Sequence, residues 1–328
     1  SDPLYIMFTS GSTGRPKGVV ITHESVCNGF YWMNEYFDLR PGERELLKTS
    51  INFDVSVWEL FWPTLIGGTL VILEPNAHKE PKRIIEAVCR HGVSTIHFVP
   101  SMLQSFLENE HCGECKCLKR VICIGEALEK YQVDMFFEKF KDCDIFNLYG
   151  PTEATVHVSY HKCLPDEQCT TYSIGLPISN TRLYVLDEEM NELGTGEMGE
   201  LYIGGICLSP GYYNRPDLTA ERFVDNPFSD VPGAKLYRTG DLVSRSENGE
   251  LDFFGRMDFQ IKLHGFRIEI EEIEQCIKEQ PFVKECVVAL AENKRTSDKK
   301  LVAYVVFNDG TDDGRLIDSW KSVYDETY

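Results

Sequence analysis

The first 160 residues alternate short apolar runs with longer amphipathic stretches. The runs at 5–8, 69–73, 94–99, 120–124 and 144–148 have the length and bulk of buried strands. Between them, 25–37, 81–91 and 129–139 carry apolar positions at helical spacing. Alternation of this kind predicts a layered α/β region with largely parallel strands. From about 170 to 255 the pattern shifts to short β-rich runs, at 182–186, 199–203 and 250–254, divided by Gly, Pro and Asn turns. This predicts a compact β subdomain. After Asp258 the style changes again. The runs 261–263, 286–290 and 301–307 read as strands, and 269–278 places Ile270, Ile273 and Ile277 on one helical face with acids opposite. Together they predict a small α+β lobe. A polar, Gly- and Asp-rich break at 308–314 precedes a new segment at 316–328, and no internal repeat is present.

Composition narrows the function classes. The 328 residues suit about two domains, and 42% hydrophobic content supports a sizeable core. No run of about 18 apolar residues is present, so the reading includes no membrane span. A net charge of −19 argues against a nucleic-acid surface, which needs a basic stripe. The twelve cysteines have no disulfide-framework rhythm and predict a reduced, cytoplasmic setting. Cys112 and Cys115 have C-x-x-C spacing, but no second such pair follows, so the reading is a surface loop rather than a zinc site. The chain has no initiator Met and begins almost inside its first motif, which suggests an excised piece of a longer polypeptide.

That motif is Thr9-Ser10-Gly11-Ser12-Thr13-Gly14-Arg15-Pro16-Lys17-Gly18. Its glycines let backbone approach an anion closely, its hydroxyls can donate to phosphate oxygens, and Lys17 adds a compact positive charge. It is not a Walker A loop, because Pro16 and Gly18 stand where a Gly and a Ser or Thr are required. Downstream lie Phe53-Asp54-Val55-Ser56-Val57-Trp58-Glu59, then Asn147-Leu148-Tyr149-Gly150-Pro151-Thr152-Glu153-Ala154-Thr155, then Gly199-Glu200-Leu201-Tyr202-Ile203-Gly204-Gly205. Tyr237-Arg238-Thr239-Gly240-Asp241-Leu242 and the long run from Gly255 to Glu269 complete the set.

In this ordered set the chain resembles the adenylate-forming superfamily, and within it the amino-acid adenylation domains of nonribosomal peptide synthetases. The resemblance covers residues 4 to about 307. It implies the adenylate-forming fold truncated at both ends: a partial large lobe at 1–257 (α/β to 165, β-rich from 166), and a partial small lobe at 258–309 after a hinge at Asp258. It also implies a ligase reaction, in which an amino-acid carboxylate attacks the α-phosphorus of ATP and the acyl group then passes to a carrier-protein phosphopantetheine thiol. Condensation domains would share the polypeptide, and nucleic acid and membrane would not be partners.

By resemblance, Thr9 to Gly14 and Lys17 would hold the pyrophosphate end, and Glu153 would be the Mg²⁺ ligand. Thr152 would contact the α-phosphate, Tyr149 would stack on adenine, Asp241 would accept both ribose hydroxyls, and Arg256 would support the ribose. Asp54 matches the acid that pairs with a substrate α-ammonium, although a helix-capping Asp is the plainer alternative. The other pocket positions match Val55, Trp58, His97, Ile122, Ile124, Leu148, Val156 and His157. The Asp-Val-Trp-His beginning resembles serine-activating pockets and the Val-His end threonine-activating ones, which implies a small, hydroxylated amino acid.

The chain departs from the family pattern in two respects. The family's first two motifs would precede residue 1, so part of the large lobe is expected to be missing. No Gly-Lys segment follows Phe307 to supply the family's C-terminal lysine, so this stretch alone is expected to adenylate poorly. Residues 310–328 read as a linker whose end, 320–328, resembles the entry to an inserted methyltransferase domain, which would use S-adenosylmethionine. A free-standing acyl- or aryl-CoA ligase, or a non-catalytic nucleotide-binding module, stays open at this level.

Overall fold

A computed structural model describes residues 2–11, 16–263, 265–292 and 299–308. Contacts divide it into two units. One holds 2–9, 17–258 and 265–266; the other holds 10–11, 16, 259–263 and the described residues from 267 onward. The division falls between Asp258 and Phe259, and Ser10, Gly11 and Pro16 group with the smaller unit.

The larger unit is built on a seven-stranded sheet in the order Thr69–Ile72, Arg44–Leu47, Thr95–Phe98, Arg120–Cys123, Asp144–Tyr149, Ser159–Cys163 and Leu176–Pro177. The first five strands pair in parallel, and the last two are added by antiparallel pairing. Alternation along the strands sorts side chains to two faces. Val121, Cys123 and Ile145 enter a core with Ile84, Val88, Leu103 and Phe136, which come from the helices Pro81–His91, Pro100–Glu108 and Lys130–Lys139. Ile122, Ile124, Phe146 and Leu148 face the other way, against Trp32, Met33 and Phe37 of the helix His23–Phe37 and Trp58 and Trp62 of the helix Val55–Leu65.

A second, five-stranded antiparallel sheet carries Thr181–Leu186, Met198–Gly205, Lys235–Arg245, Phe223–Asp225 and Leu251–Arg256. A third pairs Pro3–Thr9 with Lys17–Thr22, and Thr9 is in register with Lys17. In the smaller unit the helix Ile270–Lys278 lays Ile270, Ile273 and Ile277 against Val283, Cys286, Leu301 and Val305 of a two-stranded sheet.

The mixed α/β class and the helix at 81–91 agree with the sequence reading. Pro81 starts that helix at a position where its missing N–H costs nothing, and Gly92 ends it in the left-handed region at φ 63. The helix Val55–Leu65 escapes a periodicity reading, because its sequence is apolar on nearly every side and contains Pro63. The surface-loop reading of the cysteine segment is corrected. Cys112 and Cys115 are buried in the core, where a thiol behaves as a small hydrophobe, and the Cys112 thiol points to the Leu107 carbonyl. Residues 310–328, the proposed linker and methyltransferase entry, lie outside the described residues. Among the described residues no helix is long and apolar enough to cross a membrane.

Candidate active site

Asp54 stands at the entrance of the helix Val55–Leu65, but its side chain makes no capping bond. It accepts instead from the Thr152 hydroxyl at 2.6 Å, across 98 residues of chain. Thr152 opens the short helical turn Thr152–Ala154, directly beyond the strand Asp144–Tyr149. Parallel strands end together at this edge of the sheet, which is where such folds gather ligand-binding residues.

Glu153 is fully buried. Its Oε1 accepts from the Tyr212 hydroxyl at 2.8 Å and lies 3.4 Å from Lys17 Nζ. The same ammonium sits 5.0 Å from the centre of the Tyr212 ring. A buried carboxylate facing a buried ammonium is tolerable only as such a hydrogen-bonded pair. Nearby in sequence, the hydroxyls of Tyr5 and Thr9 are buried without a hydrogen-bond partner, and the Asp54 charge, after burial itself, helps to raise the Tyr5 phenol. Buried, unpaired donors of this kind are uncommon outside functional sites.

A third group gathers Tyr149, Asp241 and Arg256. The Tyr149 hydroxyl donates to Asp241 Oδ2, and Arg256 Nη1 donates to Asp241 Oδ1 at 2.7 Å. The other edge of the guanidinium forks onto Asp258, with both bonds at 2.6 Å. Burial, followed by the Asp241 charge, pushes the Tyr149 phenol well above its ordinary range, so it stays a donor. Asp241 is seated by a bond from its own N–H to Thr239 Oγ1.

The fourth group is a buried cluster. Trp58 lies one turn beyond Asp54, on the same helical face. Its ring makes edge contacts with His97, 5.5 Å away, and His157, 5.6 Å away. Strand register sets Ile122 beside His97, and Ile124 and Leu148 continue the same sheet face. Val55 and Val156 pack against this cluster. His97 and His157 are 3% and 2% exposed, and neither His97 Nε2 nor either nitrogen of His157 has a hydrogen-bond partner. Burial pushes His97 down to about 4, with the Lys48 charge adding to it, and burial alone pushes His157 down to about 3. Both rings are therefore neutral at pH 7.

The loop that delivers His157 is strained. Thr155 and Val156, both β-branched, adopt left-handed backbone at φ 58 and 72. Gly150 permits the tight wrap, because a Cβ there would meet the Val156 carbonyl oxygen at 2.5 Å and the His157 Cα at 2.6 Å.

The structure thus brings Asp54 to Thr152, Lys17 to Glu153, and Tyr149 to Asp241 and Arg256. Ser10 and Gly11 fall in the smaller unit, where the Ser10 hydroxyl donates to the Arg267 carbonyl and the Gly11 N–H to Glu272 at 3.3 Å. Ser12, Thr13 and Gly14 lie outside the described residues. Nothing local in the sequence marks Tyr212 or Thr49 as the partner of an acid, yet the Tyr212 hydroxyl donates to Glu153 and the Thr49 hydroxyl to Glu59.

The AMP-binding enzyme family profile matches residues 1–213. The chain belongs to the AMP-binding enzyme family. Within it, this is an adenylation domain of the nonribosomal peptide synthetase kind, a ligase-class enzyme. Over 301 residues it is 44% identical to phosphinothricin tripeptide synthetase PhsB of Streptomyces viridochromogenes, covering 92% of this chain and 25% of that one. The adenylation domain AlmE of Vibrio cholerae, solved in complex with glycyl-adenosine-5'-phosphate, matches with a TM-score of 0.83 at 27% identity, covering 92% of this chain and 57% of that one. A holo nonribosomal peptide synthetase protein, PA1221, solved with adenylation and carrier domains and a vinylsulfonamide inhibitor, matches with a TM-score of 0.85 at 26% identity. It covers 96% of this adenylation domain and 54% of that chain. The present domain therefore spans about a quarter of the curated synthetase's length.

Proposed function

We propose that this domain activates a small, hydroxylated α-amino acid as its aminoacyl adenylate and passes it to the phosphopantetheine thiol of a carrier protein. The observation that carries the reading is the Asp54–Thr152 hydrogen bond. It sets an acceptor for an ammonium beside a hydroxyl at the strand edge, one helical turn from a pocket floored by Trp58. In the reaction, a carboxylate oxygen forms a bond to the α-phosphorus as the bond to pyrophosphate breaks, and pyrophosphate leaves. No covalent enzyme intermediate is required, so the protein contributes position and charge.

Asp54 holds the ammonium, and Thr152 lies between it and the α-phosphate. Lys17 and the Thr9 hydroxyl hold the outgoing phosphates. Tyr149 packs against adenine, while Asp241, oriented by Arg256, accepts the ribose hydroxyls. Asp258 serves as the hinge for thiolation. Among the described residues no cluster of three or more His, Cys, Asp and Glu side chains gathers to cage a cation. The donor set fits a magnesium ion borne on ATP phosphates and touched by the single carboxylate of Glu153, where it would offset phosphate charge. The small-substrate reading rests on Ile122, Ile124 and Trp58, which fill depth, and on two neutral histidines with unpaired nitrogens.

The test is amino-acid-dependent exchange of pyrophosphate into ATP by the full-length parent polypeptide. Serine or threonine should give the highest exchange. Exchange driven only by aryl or fatty acids would overturn the amino-acid reading, and exchange driven only by bulky amino acids would overturn the pocket. The further reading, that a methyltransferase using S-adenosylmethionine interrupts the small lobe, rests on residues 320–328 alone. A glycine-rich S-adenosylmethionine motif in the following sequence tests it, and its absence there would remove the reading.

A further inference from the structure

Trp58 and Glu59 are neighbours on one helix, so their side chains leave it about 100° apart. Trp58 sets its ring edge-on to His97 and His157, whereas Glu59 turns towards the chain just beyond the strand Arg44–Leu47, and both side chains are buried. Glu59 Oε2 accepts from the backbone N–H groups of Lys48, at 3.1 Å, and Thr49, at 2.9 Å. Its Oε1 accepts from the Thr49 hydroxyl at 2.7 Å and lies 3.4 Å from His97 Nδ1. Burial alone would raise this carboxyl, but His97, Lys48 and the Thr49 N–H outweigh it, and Glu59 is held ionised.

His97 Nδ1 therefore faces two acceptors, the Glu59 carboxylate and the Thr49 oxygen at 3.4 Å, whose own proton is already given to Glu59. Among the described residues the competing donor at Nδ1 is Lys48 Nζ, at 3.5 Å. A neutral imidazole has one proton to place. We infer that Glu59 is a positioning residue that keeps this proton on His97 Nδ1, so that Nε2 presents a bare lone pair to the amino-acid pocket and selects side chains that can donate a hydrogen bond. The inference rests on the pocket reading above and adds to it the polarity of the match. A hydroxyl or amine satisfies Nε2, while an ether of the same size leaves it unsatisfied.

Two measurements test it. In the 328-residue chain, nitrogen-15 NMR should show His97 with a protonated Nδ1 and an unprotonated Nε2. An Nε2–H tautomer in the wild type would overturn the inference without any variant having to fold. In Glu59→Gln the amide oxygen keeps the two backbone N–H bonds and the amide N–H₂ turns to His97, so the imidazole proton should move to Nε2. The full-length Glu59→Gln polypeptide should then raise the ratio of O-methylserine to serine exchange about tenfold to a hundredfold, the range for relieving a mismatched buried polar contact. An unchanged tautomer in the variant would remove Glu59 from the role. A swapped tautomer with an unchanged ratio would overturn the specificity claim by taking His97 out of the pocket, while Glu59's hold on the ring would stand.

Discussion

Acidification should destabilise this domain through His157, by an amount that follows from its burial. In the folded chain the ring touches Trp32 and Trp58 and has no polar partner, and it does not take up a proton until about pH 3. Once unfolded it titrates at its ordinary value of 6.5. Between those two values the unfolded chain binds the proton and the folded one does not, so stability rises with pH across the window. The contribution is fully present above pH 6.5 and is lost progressively as pH falls towards 3. At pH 5, about one and a half units below the unfolded value, the loss is about 2 kcal/mol at about 1.4 kcal/mol per unit. His97, pushed down to about 4, adds a similar loss. Urea unfolding of wild type and His157→Phe at pH 7 and pH 5 isolates the term. Wild type should lose about 2 kcal/mol more than the variant between the two conditions. Equal losses would mean that the ring is solvated or paired, and the neutral pocket would have to be abandoned.

Three further outcomes follow from the contacts. Asp54→Ala should abolish amino-acid-dependent exchange, by about 10²-fold or more, while ATP binding measured by calorimetry stays nearly intact; equal loss of both would assign Asp54 to folding. Glu153→Gln should raise the KM for magnesium-ATP with every amino acid alike, and an unchanged KM would take Glu153 out of the phosphate site. Gly150→Ala should lower stability by about 2 kcal/mol or more, because its methyl group meets backbone atoms of Val156 and His157 rather than a yielding side chain. A thermal midpoint equal to wild type would show that the 150–157 loop has room to relax.

The sequence alone determined what depends on near neighbours. The helix at 81–91 and the face of Ile270, Ile273 and Ile277 were both visible as apolar positions at a three-to-four residue spacing. The run at 144–148 read as a buried strand because Ile145, Phe146 and Leu148 give it the bulk of one, and the structure covers it on both faces. The glycine-rich loop and the acids were likewise legible as chemistry in want of a site. Tertiary structure decided which of those groups meet. Tyr149 finds Asp241 across 92 residues, Tyr212 finds Glu153 across 59, and Glu59 reaches His97 only because one helix is laid against the end of a parallel strand pair. Such pairings depend on strand register and on loops held under backbone strain, as at Thr155 and Val156. Periodicity records which face of an element is buried. It does not record which distant element covers that face, because any partner of similar shape and polarity would satisfy the same local pattern.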